Sequence, residues 1–191
     1  MSSDGPTDTR NAIMKFGRAL VQAHGYNALS FREIAKEVGV KSASVHYHFP
    51  TKGDLAAALA KEYTDQAVSF FQSLEASESD HDRMIDAYIS VYRAALEQDN
   101  RMCLCGMMAA ESADLPAFVL TEVNRFGEVN ARWLTKMLSK RHPKTSHEKL
   151  EAQALSIYAA IEGAQLVARG RGDVAVFDRI IAAYKALGLF S

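Results

Sequence analysis

Apolar residues recur at intervals of three and four along almost the whole chain, and the two-residue alternation typical of β-strands is not evident. The pattern predicts about nine helices and an all-α fold. The first helix carries Ile13, Phe16 and Leu20 on one face and ends at Gly25. The residues before it are polar, and we expect the first nine or so to be disordered.

Two short helices joined by a tight turn come next. Ser30 and Glu33 form the Ser-x-x-Glu pattern of a capping box, which predicts a helix start at this point. Gly39 ends that helix, because glycine adopts the left-handed conformation of a turn at little cost. The second short helix runs from about Lys41 to His48. This layout predicts a helix-turn-helix, a motif whose second helix lies in the major groove of DNA.

The second short helix has an inner face, with Val45 and Phe49 in the core, and an outer face of small and polar residues. The outer residues are Lys41, Ser42, Ala43, Ser44, His46 and Tyr47. Small residues at the helix start let the backbone approach base edges, while hydroxyls and rings farther along meet bases or phosphates. Thr51 and Lys52 begin the next helix, where free amides, the helix dipole and an ammonium group hold a phosphate.

The remaining pattern predicts six further helices. Thr51 is the predicted cap of a long fourth helix. The fourth helix is followed by a fifth, a short apolar segment at 102–110 and a seventh helix that starts near Pro116. Two last helices lie around 148–169 and 173–187. The breaks between these elements are at 77–80, 99–100, 143 and 170–172.

Composition and charge change this interpretation only slightly. The 191 residues are 48% hydrophobic and 24% charged, which is typical of a globular protein with a sizeable core. The net charge is −1, but residues 1–52 carry +3 and the remainder −4, so the amino-terminal part is the more suited to phosphates. Because no apolar run approaches about 20 residues and the polar start is not that of a signal peptide, we expect a cytoplasmic protein without a membrane partner.

Two segments carry a family resemblance. They are Ala-Leu-Ser-Phe-Arg-Glu-Ile-Ala-Lys-Glu-Val-Gly-Val at 28–40 and Ser-Val-His-Tyr-His-Phe-Pro-Thr-Lys-Gly-Asp-Leu at 44–55. Both resemble the signature of the TetR/AcrR regulators. The motif covers roughly residues 10–55 and is specific there, whereas the sequence downstream is not diagnostic.

The resemblance implies a nine-helix homodimer that binds a near-palindromic DNA operator and usually represses transcription. It divides the chain into a helix-turn-helix domain, residues 1–52, and a helical domain for ligand binding and dimerisation, residues 53–191. The matching positions assign DNA contacts to Ser30, Arg32, Lys41, Ser42, Ala43, His46, Tyr47, Thr51 and Lys52. The family often has tyrosine where this chain has His46, so we expect the contact there to differ or to weaken as pH rises.

The segment 101–111, Arg-Met-Cys-Leu-Cys-Gly-Met-Met-Ala-Ala-Glu, holds soft side chains that either fill a core or line a pocket. A thiol sensor is an alternative, because Arg101 would lower the pKa of a nearby cysteine. We predict no metal site, since His46 and His48 point to nearly opposite sides of a helix, and no cofactor.

Candidate ligand contacts lie on the fifth to eighth helices. They are Tyr88, Tyr92, Cys103, Met107, Phe126, Trp133, Tyr158 and Gln165, although aromatic residues at this spacing also suit a core. Glu111 and Glu162 lie on mainly apolar helices. Because a buried carboxylate needs a partner, each of them either contacts a polar group of a small-molecule effector or is exposed.

The last two helices suit dimerisation, since small residues such as Gly163 and Ala164 let another helix come close. Two such helices from each subunit form a four-helix interface with two-fold symmetry. The recognition helices then lie about 34 Å apart and read successive major grooves. Two alternatives stay open: a helical enzyme with Cys103 or Cys105 as nucleophile but no obvious base, and a dimeric interaction module that has lost DNA binding.

Overall fold

The computed structural model describes residues 6–191, with side chains from residue 8 onward, and all regular structure in that range is helical. The described residues form nine α-helices: α1 (Pro6–His24), α2 (Phe31–Val38), α3 (Ser42–His48), α4 (Lys52–Ser77), α5 (His81–Glu97), α6 (Leu104–Ala110), α7 (Ala117–Arg141), α8 (His147–Arg171) and α9 (Val174–Ala186). The all-α prediction is confirmed. Two 3₁₀ turns that the pattern did not predict lie at Tyr26–Ala28 and Ser112–Asp114.

The first helix begins earlier than the pattern predicted. Its first residue is Pro6, where the fixed φ of proline and its missing N–H suit the first helical position. The expected disorder is therefore wrong for residues 6–9, and for residues 1–5 it lies outside the described range.

The chain forms two compact units. The first contains the described residues up to Tyr63 together with Leu104–Asn124, and the second contains Thr64–Cys103 together with Arg125–Ser191. Helices α4 and α7 therefore contribute residues to both units. The division of function at residues 52–53 stays a prediction.

The first unit holds the two short helices around a small apolar core. Its fully buried members include Ile13, Ile34, Val45 and Leu55, and Phe49 is also buried. Both predicted inner residues of α3 are thus confirmed as core. Helix α3 packs on α1 and α2, so its opposite face is available to solvent.

Local caps fix the ends of these helices. The Ser30 hydroxyl accepts a hydrogen bond from the Glu33 amide at 3.4 Å, as the capping box predicts. Gly39 has a φ of 76°, and the next amide, that of Val40, donates to the Ala35 carbonyl at 2.9 Å. The left-handed turn predicted at Gly39 is confirmed, and it sends the chain from α2 into α3.

The start of α4 has a second capping box. The Thr51 amide donates to the Asp54 carboxylate at 2.9 Å, and the Asp54 amide donates to the Thr51 hydroxyl at 3.2 Å. The predicted cap at Thr51 is confirmed. Two otherwise unpaired amides at the helix start are satisfied reciprocally.

In the second unit, α8 packs against both α5 and α9. An aromatic cluster fills part of its core: Phe71 stacks on Trp133 with ring centroids 4.5 Å apart, and Tyr88 lies 5.3 Å from the same indole. In the described part of the chain, no helix is both long enough and apolar enough to cross a bilayer.

Replacing Gly39 by alanine should destabilise the protein by roughly 1–2 kcal/mol, because a side chain at this φ meets its own backbone. The space around Gly39 is open, so the cost comes from the backbone alone. Urea unfolding at a fixed protein concentration measures the loss. Gly170→Ala is the control: it lies in α8 with equally open space, and it should be neutral or stabilising by up to about 1 kcal/mol. Equal losses for both variants would contradict the strained-turn explanation.

Candidate DNA interface and ligand site

The outer face of α3 is exposed to solvent. Tyr47 is 79% exposed, the largest value but one among the large exposed hydrophobic side chains of the described residues. Lys41, Ser42, Ala43 and His46 are also exposed, and Ser44 is half-buried. These predicted contact residues therefore share one accessible surface, and their contact with DNA stays a prediction.

The His46 ring makes two contacts within the helix-turn-helix. It meets the Phe31 ring edge-on at 4.8 Å between centroids, and its Nδ1 donates to the Pro50 carbonyl at 3.3 Å. The position that is often tyrosine in the family is thus occupied here by a ring whose Nδ1 is bonded within the helix-turn-helix.

The other predicted contacts have structural roles as well. Ser30 and Thr51 use their hydroxyls as helix caps, whereas Arg32 is exposed. Lys52 is more restricted: its ammonium lies 4.1 Å from the centre of the Tyr26 ring and donates to the Asn27 carbonyl at 3.3 Å. Partial burial lowers the pKa of Lys52, although nearby carboxylates oppose the shift.

Those carboxylates form a clamp that sequence reasoning missed. Glu111, half-buried after α6, accepts hydrogen bonds from the backbone amides of Tyr26 and, at 3.4 Å, Asn27. Asp114 accepts from the Asn27 side-chain amide at 2.7 Å. The acidic clamp, Glu111 and Asp114, thus ties the connection between α1 and α2 to the end of α6.

The clamp also explains Gly25. This glycine has a φ of 86°, and a Cβ added to it would lie 2.5 Å from the Glu111 carboxylate. Glu111 is therefore satisfied by the protein's own backbone, in contrast to the ligand contact considered from the sequence. Its partners lie 84 and 85 residues away in the chain, so no local pattern announced them.

Seven of the eight predicted ligand residues belong to the second unit, whereas Met107 lies half-buried on α6 in the first. A hydrogen-bond network joins two of them: the Tyr88 hydroxyl donates to the Asn130 side chain at 2.9 Å and lies 3.1 Å from the Tyr92 hydroxyl. The Asn130 amide in turn donates to the Phe126 carbonyl at 2.7 Å. Burial raises the pKa of both tyrosines, so both stay neutral donors.

Gln165 connects this network to the backbone of Cys103 within the second unit. Its side chain is fully buried, donates to the Tyr92 carbonyl at 2.7 Å and accepts from the Cys103 amide at 2.9 Å. Two observations disfavour the thiol-sensor alternative. Cys103 and Cys105 are both buried, and Arg101, the cation expected to lower a cysteine pKa, pairs with Asp99 at 2.9 Å.

Glu162 on α8 differs from these hydrogen-bonded buried groups. Both of its carboxylate oxygens are inaccessible to solvent, and neither makes a hydrogen bond of normal geometry within the described chain. Burial raises the pKa of Glu162 to about 7, while the Cys103 thiol and the Tyr158 hydroxyl lower it. Among the described residues no cluster of His, Cys, Asp and Glu is suited to a metal ion.

Replacing Glu111 by alanine should cost about 1–3 kcal/mol, because the buried Tyr26 amide loses its acceptor. Gly25→Ala should be destabilising in the native background and less so in the Glu111→Ala background, since the carboxylate it meets is then gone. A double-mutant cycle by urea unfolding measures this coupling, with the exposed Glu128→Ala as control. Strictly additive losses would contradict the close approach of Gly25 to Glu111.

Comparison with known proteins adds independent information. Residues 13–59 match the family described as bacterial regulatory proteins, tetR family. A TetR-family transcriptional regulator from Agrobacterium tumefaciens is 31% identical with a TM-score of 0.86, over 92% of this chain and 95% of that one. A TetR regulator from Legionella pneumophila is 28% identical with a TM-score of 0.87, over 98% and 99% of the two chains.

A more distant relative is the HTH-type transcriptional repressor KstR2 of Mycolicibacterium smegmatis, 21% identical over 130 residues. The match spans 68% of this chain and 63% of the repressor. These relatives are regulators, which rules against the alternative of a helical enzyme. Since similarity to the Agrobacterium protein extends over nearly its whole length, the chain belongs to the TetR family of transcriptional regulators.

Proposed function

We propose that the protein is a homodimeric repressor that binds a near-palindromic operator through α3 and leaves it when a small molecule binds in the second unit. The observation that carries the DNA-binding part is the outer face of α3. Lys41 supplies a cation for phosphates, while Tyr47 presents a ring and hydroxyl that are 79% exposed. Small residues at the start of this helix permit close approach to base edges.

An exposed stripe of small and apolar residues supports dimerisation through α8. From Leu155 to Gly163 its members lie four positions apart, and Leu166 and Val167 follow three and four positions later: Leu155, Ala159, Gly163, Leu166 and Val167 are all exposed. On α9, three exposed alanines, Ala182, Ala183 and Ala186, form a second small-residue surface. Such stripes suit a four-helix packing in which each subunit contributes the same two helices.

Ligand release requires a connection between ligand and DNA, and chain continuity offers two. Helix α4 begins in the first unit and ends in the second, and the Cys103 amide that Gln165 holds directly precedes α6. A ligand that binds better to the DNA-incompetent state lowers operator affinity by the same factor by which the operator lowers ligand affinity.

Lys41→Ala should weaken binding to DNA from the region upstream of the gene and reduce the slope of log affinity against log salt by about one. Tyr47→Ala should lower affinity by roughly tenfold or more, as expected for one lost base or phosphate contact. Fluorescence anisotropy over a salt series measures both. The control is Lys144→Ala, an exposed lysine between α7 and α8. Equal effects at both lysines would place the DNA contact elsewhere.

Leu166→Glu should convert the dimer into a monomer and abolish operator binding, because a charge in an apolar interface lacks a partner. Leu166 is 58% exposed in the single chain. Sedimentation velocity gives the mass. Val91→Glu is the control, a 45% exposed apolar residue on α5. A Leu166→Glu protein that stays dimeric would exclude this stripe as the interface.

A further inference from the structure

The Glu162 carboxylate lies in the interior of the second unit without a counter-charge. Its pKa is affected by burial, by the Cys103 thiol and by the Tyr158 hydroxyl, and none of these is a cation. From α5, Tyr88 and Tyr92 are close enough for Glu162 to raise their pKa values. The titratable groups whose pKa values are coupled to that of Glu162 are thus neutral donors or other potential anions.

The Cys103 thiol and the Tyr158 hydroxyl face Glu162 as neutral donors, whereas the two tyrosines of α5 are committed to other partners. Tyr88 donates to Asn130, and the Tyr92 hydroxyl lies between Tyr88 and Asn130. Neither hydroxyl bonds the carboxylate. A charged carboxylate in this position is unfavourable unless a cation joins it or a proton neutralises it.

Aromatic rings complete the surroundings. The Phe126 and Tyr158 rings lie 6.4 Å apart in a T-shaped arrangement, and Tyr88 and Tyr92 form a second T-shaped pair at 5.4 Å. Ring faces attract cations through their quadrupoles, and a carboxylate attracts them directly. An anionic ligand would be repelled here, and a neutral ligand would leave a proton as the means of neutralising the carboxylate, whereas a cation pairs with its charged form.

We infer that the effector of this protein is an organic cation, an amine or quaternary ammonium compound, whose positive charge pairs with Glu162 among these aromatic side chains. The inference rests on the proposed function, in which the second unit binds the effector, and it adds the chemical class and the residue that selects it.

A cation competes with a proton for Glu162, so its affinity depends on pH. A pKa near 7 means that Glu162 takes a proton below neutral pH and loses it above. A permanent cation therefore binds more tightly as pH rises from 6 to 8. Below the pKa its affinity increases by up to about tenfold for each pH unit. In the free protein the raised pKa works the other way: stability is lost as pH rises from 4.5, the ordinary pKa of this carboxyl group, to about 7.

Calorimetry with benzyltrimethylammonium and its neutral carbon isostere neopentylbenzene tests the charge directly. We expect the cation to bind the wild type at pH 8, at least tenfold more weakly at pH 6, and at least thirtyfold more weakly to Glu162→Gln at pH 8. Glu151→Gln, an exposed carboxylate on the same helix, should bind as the wild type does. Thermal unfolding supplies a measurement without ligand: Glu162→Gln should be more stable than the wild type at pH 8 and equal to it at about pH 4, below the pKa of the unfolded chain.

Several outcomes would overturn the inference. In binding, these are equal affinity for the neutral isostere, unchanged affinity of Glu162→Gln for the cation, or no binding of benzyl-, naphthylmethyl- or dodecyltrimethylammonium to the wild type at pH 8. In unfolding, it is a Glu162→Gln protein that is no more stable than the wild type at pH 8. Operator release is followed separately by anisotropy. A neutral or anionic compound that releases the operator would overturn the cation class and leave the repressor function standing, whereas a wild type that binds no operator would overturn the repressor function itself.

Discussion

The chain passes from α2 to α3 through Gly39, and the orientation of the exposed face of α3 depends on the conformation of that one residue. Its φ of 76° is costly for any side chain, and it turns the chain so that Val45 enters the core beneath α1 and α2. Once Val45 and Phe49 are buried, the helical period leaves Lys41 and Tyr47 in solvent. The acidic clamp acts on the preceding connection, so both ends of α2 are fixed relative to α1 by interactions within the same unit.

The second unit follows a different principle, in which buried polar groups specify the packing. Asn130 and Gln165 are almost completely inaccessible, and each links two or more partners by hydrogen bonds. Satisfied networks of this kind favour one arrangement of helices over its neighbours, since any slip would leave a buried group unpaired. Glu162 lies beside this satisfied network with only neutral donors facing it, and this contrast points to a positive charge that the neighbouring side chains do not supply.

Sequence reasoning succeeded wherever the determining contact was local. The caps at Ser30, Gly39 and Thr51 depend on residues one to four positions away, and all three were predicted correctly. It failed where the partner is distant in the chain: Glu111 reaches Tyr26 across 85 positions, and Tyr88 reaches Asn130 across 42. Periodicity identifies a buried face, but it does not say which polar group on another helix will meet a buried carboxylate or hydroxyl.

Hydroxyl-radical footprinting of the DNA upstream of the gene tests most directly whether α3 reads an operator as one of a symmetric pair. Two protected blocks on one face of the duplex, centred about one helical turn apart and related by an imperfect palindrome, are the predicted result. Uniform reactivity at low salt along all of that DNA, with no block protected, would contradict it.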